Sequence, residues 1–164
     1  MSKIVNDKEV CFIICSNNTL YMEECLYYIA HLNVPEGYRT DVLTIEDAAS
    51  MTSGYNEGMR ASGAKYKVYL HQDTFIVNKN FIQDFLDVFM QDETIGMIGM
   101  VGAPRLPASG VMWEGPRCGA LYTWRIRDTQ ESWMADDALT QVEVIDGFLM
   151  ITQYDIPWRE DLFD

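Results

Sequence analysis

Residues 10–19, VCFIICSNNT, set the architecture. Val10–Cys15 is a continuous apolar run rich in Ile and Phe, the texture of a strand buried on both faces. It stops at Ser16-Asn17-Asn18-Thr19, a cluster of cap and turn residues. Leu20–Leu32 follows with Met22, Cys25, Leu26, Ile29 and Leu32 at helical spacing. Glu23 and Glu24 near its start suit the positive end of a helix dipole. Pro35-Glu36-Gly37 reads as a turn, and Thr40–Ile45 (TDVLTI) as a second strand. Strand, helix, strand makes a βαβ unit, which requires a parallel sheet with a right-handed crossover.

The pattern continues outward. Glu46–Ser62 reads as a helix with Ala48, Met51, Tyr55, Met59 and Ser62 along one stripe. Gly54 and Gly58 lie four apart and share a face. Each costs about 1 kcal/mol against Ala in a helix, so close approach to a sheet or a ligand is expected to offset them. Tyr66–Leu70 reads as a third strand ending in His71-Gln72-Asp73. Asn78 and Asn80 offer caps for a helix Phe81–Asp92, and Asn80 with Gln83 resembles a capping box. The apolar face of that helix is Phe81, Ile82, Phe85, Leu86, Val88 and Phe89. Ile95–Gly102 reads as one strand with close backbone neighbours at its glycines. Beyond it, Val111–Trp124 holds two short aromatic strand candidates around Gly115-Pro116. Arg125–Ala138 reads as a polar loop whose Arg125 and Arg127 are solvated or clamp a phosphate. Gln141–Ile151 reads as a strand interrupted by Asp146-Gly147. The expected fold class is α/β, a mostly parallel central sheet flanked by helices, with an irregular β-rich C-terminal half.

At 164 residues the chain is sized for one domain. Hydrophobic residues at 48% and charged residues at 23% exclude collagen, disorder and low complexity. Lys and Arg total 12 against 25 Asp and Glu, a net charge of −13, which argues against nucleic acid as a partner. It leaves room for a nucleotide, because a cation can join two anionic partners. Residues 106–164 hold eleven acids against four bases, which reads as a solvated face or as carboxylates that handle a metal or a proton. Cys11, Cys15, Cys25 and Cys118 form no CxxC pair and have no His at zinc spacing, so a reduced, cytoplasmic protein is expected. The opening MSKIVNDKEV lacks the apolar core of a signal peptide, and no apolar run approaches the ~20 residues of a transmembrane segment. No GxGxxG follows the first strand, which disfavours a dinucleotide dehydrogenase.

In open parallel sheets, ligands sit outside the carboxyl ends of the strands. Ser16-Asn17-Asn18, Glu46-Asp47 and His71-Gln72-Asp73 all fall where strand gives way to loop, so they are expected along one edge. Asp73 follows a strand that should be buried, which places its carboxylate at the mouth of the sheet. A hard divalent cation often takes one or two carboxylates and completes its shell with substrate phosphates and water. His71 adds a nitrogen ligand or holds a phosphate oxygen. HxD alone is a weak signal, and a strand-end Asp capping its own turn is the ordinary reading.

Residues 40–76, TDVLTIEDAASMTSGYNEGMRASGAKYKVYLHQDTFI, resemble the core of family 2-like glycosyltransferases with the A-type nucleotide-sugar fold. Asn56-Glu57-Gly58 resembles the family's helix element and Ala64–Leu70 its strand. His71-Gln72-Asp73 stands where the metal-binding Asp-x-Asp stands, with His71 replacing the first acid. CFIICSNN (11–18) resembles the first strand, and VEVIDGFLMITQYDIPWREDLFD (142–164) the acceptor-side strand and loop. The nearest likeness is to a bacterial glycosyltransferase-like subgroup. The resemblance implies one domain, 1–164, with a nucleotide-binding half (10–102) and an acceptor-side half (103–164) that lacks the family's last elements. It implies a nucleoside-diphosphate sugar as donor and a glycan or other hydroxyl as acceptor. It implies a divalent cation (Mn or Mg) on Asp73 and His71, nucleotide contacts from Ser16, Asn17, Glu46, Asp47 and Asn56, and acceptor contacts from Asp146 and Trp158. The catalytic base would be Asp161 or Glu160, or absent. Set beside these, Asp146 also reads as an Asp-Gly turn, Trp158 as packing, and Glu160 with Asp161 as a solvated run. A non-catalytic nucleotide-sugar or glycan-binding module and a partner-binding, oligomerising subunit are the alternatives.

Overall fold

The first strand, β1 (Asn6–Ser16), is the spine of the molecule, and its centre Val10–Ile14 is wholly shut off from solvent. A computed structural model describes residues 5–121 and 139–162. β1 is flanked by β2 (Arg39–Glu46) and β3 (Ala64–His71), parallel to both. Parallel neighbours need crossovers. α1 (Thr19–Ala30) supplies the first and α2 (Met51–Ala61) the second. After β3 come α3 (Phe81–Gln91), β4 (Met97–Gly99), β5 (Val101–Ala103), β6 (Cys118–Gly119), β7 (Val144–Ile145) and β8 (Leu149–Thr152). Five strands form one sheet in the order β2-β1-β3-β8-β4, and three form a second in the order β6-β5-β7. The α/β class is as expected, but the larger sheet is mixed and only partly parallel.

The chain divides into two compact units, residues 1–98 with 151–164 and residues 99–150. In the first, helices cover both faces of the sheet. On one face Tyr66 stacks on Phe89 and meets Phe85 of α3, at centroid separations of 5.9 and 6.2 Å. On the other, α2 presses its glycines onto β1. A Cβ at Gly54 would stand 2.5 Å from Cys15 Sγ, and one at Gly58 would run into the Ile13 side chain. The sheet, not a ligand, is what these glycines approach. In the second unit Val101 and Ala103 pack with Met112, and β5 pairs antiparallel with β6 and β7. Gly119 there has φ +100°, and any Cβ would collide with the Met100 carbonyl.

Local chemistry fixes the helix ends. Asn18 Oδ1 accepts from the N–H groups of Leu20 and Tyr21 and so caps α1. The helix thus begins at Thr19, and Glu23 and Glu24 fall beyond the first turn, where the dipole effect fades. β2 runs through Glu46, and α2 starts only at Met51, behind a reciprocal capping box between Ser50 and Ser53. The box expected at Asn80 is absent. Asn80 Oδ1 instead accepts from Asn33 Nδ2 at 2.8 Å, and Gln83 bonds to Asp87. The single strand expected over 95–102 is two, β4 and β5, which belong to different sheets. Around Gly115 the first expected strand is a 3-10 turn, Met112–Glu114; of the second, the described residues hold β6, and 122–124 lie outside them. The loop expected at 125–138 lies outside the described residues.

All four cysteines are free, and burial pushes the thiols of Cys11 to about 11 and Cys25 to about 12. Among the described residues no helix is long and apolar enough to cross a membrane. Lys67 is the largest exception to an apolar interior. It is 1% exposed, and its ammonium donates to the Ala64 carbonyl at 2.6 Å and meets Asp155 Oδ1 at 2.5 Å.

Two outcomes are expected. Gly58→Ala lowers stability by about 1–3 kcal/mol in chemical denaturation, because overpacking against Ile13 outweighs the gain in helix propensity. Asp155→Ala costs more than Lys67→Met, on the order of 3 kcal/mol, because it strands a buried ammonium, whereas Asp155, 42% exposed, can rehydrate when the lysine is removed.

Candidate functional site

Register decides where the strands end. Cys15 lies opposite Ile45 of β2 and His71 of β3, and Ser16 opposite Glu46. The three strands finish level, and the segments that follow them enclose a cavity of about 500 Å³. β1 contributes Cys15, Ser16 and then Asn17, and β3 contributes His71 with Gln72 and Asp73. The β2–α2 connection contributes Ile45, Asp47, Ala48, Ser50 and Met51. Asp47 has φ 56°, the left-handed region that few non-glycine residues occupy. Among the described residues that line it, none is Lys or Arg.

One side chain ties the walls together. Gln72 Oε1 accepts from Ser16 Oγ at 3.2 Å, from Asn17 N–H at 3.0 Å and from Asn18 N–H at 2.9 Å. Its Nε2 donates to Asn17 Oδ1 at 2.6 Å. The loop leading into α1 is therefore bound to the end of β3. Burial and the charge of Glu57 raise the Cys15 thiol to about 11, so it lines the cavity as a protonated, unreactive group. The charge of Asp73 adds to the burial that raises Cys25.

A second polar knot lies between α2 and the C-terminal segment. Asn56, 4% exposed, donates from Nδ2 to the Trp158 carbonyl at 2.9 Å and to Glu160 Oε1 at 2.6 Å. Its Oδ1 accepts from Trp158 N–H at 2.9 Å. The Trp158 indole lies 5.0 Å from the Tyr69 ring and 5.5 Å from Tyr55. Tyr69 precedes His71 by two residues and shares its face of β3, so Trp158 packs one strand step below the cavity rim. Tyr55 Oη, Tyr69 Oη, Thr152 Oγ1 and Trp158 Nε1 are buried there, not aligned for a hydrogen bond. Burial raises the Tyr69 phenol to about 12, tempered by the neighbouring Trp158 and Thr152. Asp161 is gripped by Arg159 through Nε at 2.7 Å and Nη2 at 2.6 Å, which holds its carboxyl below the usual range.

A sequence profile described as a glycosyltransferase-like family matches residues 11–164. The chain belongs to that family. A search of curated proteins found no match. A glycosyltransferase-like domain implies a nucleotide-sugar donor and an acceptor.

Against that frame of expectation, the cavity of this glycosyltransferase-like chain brings together Ser16, Asn17, Asp47, His71 and Asp73. Glu46 ends β2, exposed, and is not among the lining residues. Asn56 faces the C-terminal segment rather than the cavity, and Trp158 and Glu160 share its knot. Asp146 belongs to the second unit, where its Oδ1 accepts from Phe148 N–H at 3.0 Å in a turn. Gln72, expected only as part of a strand end on the edge, braces the cavity, and Ser50 and Cys15 line it without having been expected there. Only Ser50 carried a local signal, as a cap residue three before another serine.

Among the described residues no three His, Cys, Asp or Glu side chains are arranged to hold a metal. His71 and Asp73 thus offer at most two protein ligands. That donor set fits a hard divalent cation only when ligand phosphates and water fill the remaining positions.

Asn56→Ala removes three hydrogen bonds and orphans buried partners, so a loss of roughly 2–3 kcal/mol is expected. Hydrogen exchange should report it, with protection falling first over residues 154–162.

Proposed function

We propose that the chain transfers a sugar from a nucleoside-diphosphate donor to an acceptor hydroxyl, with inversion, and that the cavity at the level strand ends is the donor site. The observation that carries this reading is the convergence of Ser16, Asn17, Asp47, His71 and Asp73 on one cavity in a chain of this family. Asp47 and Asp73 line the cavity, and among the described residues that line it none is Lys or Arg, which favours a cation between an anionic diphosphate and the protein. Asp73 and His71 would hold Mn or Mg, which when bound neutralises charge on the diphosphate leaving group. Ser16, Asn17 and Asp47 would hold the nucleoside through its base and ribose.

In the displacement the acceptor oxygen attacks the anomeric carbon from the face opposite the diphosphate. The bond from that carbon to the phosphate oxygen breaks, and its electron pair leaves with the diphosphate. The hydroxyl proton goes to a carboxylate. Glu160 is the better placed of the two candidates, because Asn56 fixes one of its oxygens while Asp161 is neutralised by Arg159. Trp158, packed on Tyr69 and Tyr55 but not fully buried, would offer its remaining open surface to the acceptor.

A second reading is favoured by the same knot. Both candidate bases already hold partners, as suits a module that binds a nucleotide sugar without turning it over.

Uridine or guanosine diphosphate with Mn is expected to raise the melting temperature, by about 2.7 kcal/mol of linkage at a hundredfold excess over Kd. Asp73→Asn should abolish the shift while leaving the unliganded protein folded. Slow release of free sugar from a nucleotide-sugar donor distinguishes the enzyme from the binding module. A folded protein that shows no shift with any nucleotide, with or without metal, overturns the donor-site reading.

A further inference from the structure

The donors around Gln72 allow one assignment of its amide, and that assignment passes on to Asn17. Backbone N–H groups only donate, so the Gln72 atom that meets Asn17 N–H and Asn18 N–H is the carbonyl Oε1. The other end of the amide is then Nε2, a donor, and it meets the Asn17 side chain at 2.6 Å. The Asn17 atom at that contact must accept, so it is Oδ1. What Gln72 leaves unengaged is Asn17 Nδ2, on a residue that is exposed and lines the cavity. An amide that would otherwise be free to flip is thus set in one orientation, with its amino half left to donate.

The remaining lining groups divide the work. The Ser16 hydroxyl rotates and serves either role. Asp47 and Asp73, when ionised, only accept, so ligand hydroxyls or a cation suit them. Of the side chains here that can donate to a ligand carbonyl, Asn17 is the one whose amide a neighbouring side chain holds in a fixed sense.

Resting on the donor-site reading above, we propose that Gln72 makes Asn17 a fixed hydrogen-bond donor, so that the site selects nucleotides whose base carries a keto oxygen over those with an amino group in its place. Uridine and guanosine diphosphates belong to the first class, cytidine and adenosine diphosphates to the second. An exocyclic amino group set against Asn17 Nδ2 brings two donors face to face, and neither is satisfied. Gln72 acts through Asn17 and is a positioning residue.

The test is calorimetric titration of the full chain with all four diphosphates in the presence of Mn, with the melting temperature as a check on folding. The wild type is expected to bind uridine over cytidine diphosphate, and guanosine over adenosine diphosphate, by about tenfold, the worth of one hydrogen bond made or missed. Gln72→Glu keeps an acceptor for the two backbone N–H groups but replaces Nε2 with a second acceptor. Asn17 then turns Nδ2 to the carboxylate and Oδ1 to the ligand, and the preference falls to parity or inverts. Asn17→Asp presents an acceptor by a different route and shifts the ratio the same way, so the test holds if one variant fails to fold. The charge added by either variant weakens all four ligands alike and cancels in the ratio, which a merely structural role would leave unmoved. A wild type that binds keto and amino nucleotides equally overturns the inference and spares the donor-site reading. Unchanged ratios in both folded variants remove Gln72 and Asn17 from selection. A wild type that binds none of the four overturns inference and reading together.

Discussion

Cys15 stands between Ile45 and His71 in one hydrogen-bonded row, and the rest of the site hangs on that alignment. Parallel strands force the chain back to the same end of the sheet after each crossover. The three segments that leave β1, β2 and β3 therefore gather on one rim, and polar residues far apart in sequence become neighbours. The alignment is also locked sideways. Ile13 and Cys15 must face α2, because only there do Gly54 and Gly58 leave room for them. A slip of one residue would turn those side chains to the opposite face and set bulk against bulk elsewhere.

The C-terminal segment is held to the same unit by polar as well as aromatic contacts. Asn56 takes both backbone groups of Trp158 and one oxygen of Glu160, and Lys67 holds Asp155. Such bonds give a defined geometry more than a large stabilisation, since a buried ammonium is costly to desolvate. They place the indole of Trp158 against Tyr69 and Tyr55 and fix the carboxylate of Glu160.

Much of the first unit was legible in the sequence because its signals are local. VCFIIC and the alternation in YKVYL mark strands whatever surrounds them, and Gly54 with Gly58 announces a close helix contact. The rim residues Ser16, Asn17, Asp47, His71 and Asp73 followed from strand ends alone. What stayed hidden depends on distant partners. Asn80 looks like a cap until Asn33, 47 residues upstream, takes its oxygen. The run from Ile95 to Gly102 is uniform in character, and nothing in it marks the change of sheet at Met100. The start of α2 was misplaced because Asp47-Ala48-Ala49 is compatible with a helix, whereas the chain turns through a left-handed Asp47 before Ser50 caps it. Gln72 was placed on the rim by its strand end, but its role as a brace was hidden, because its partners lie 54 to 56 residues earlier.

The glycines of α2 bear on the order of assembly. An eleven-residue helix is too short to persist alone in water, and two glycines weaken it further. Its helicity is borrowed from β1 and cannot precede the pairing of β1 with its neighbours. Ser50 and Met51, at its mouth, thus take their places late, and in a chain emerging from synthesis the cavity they line takes shape only after the central strands have met.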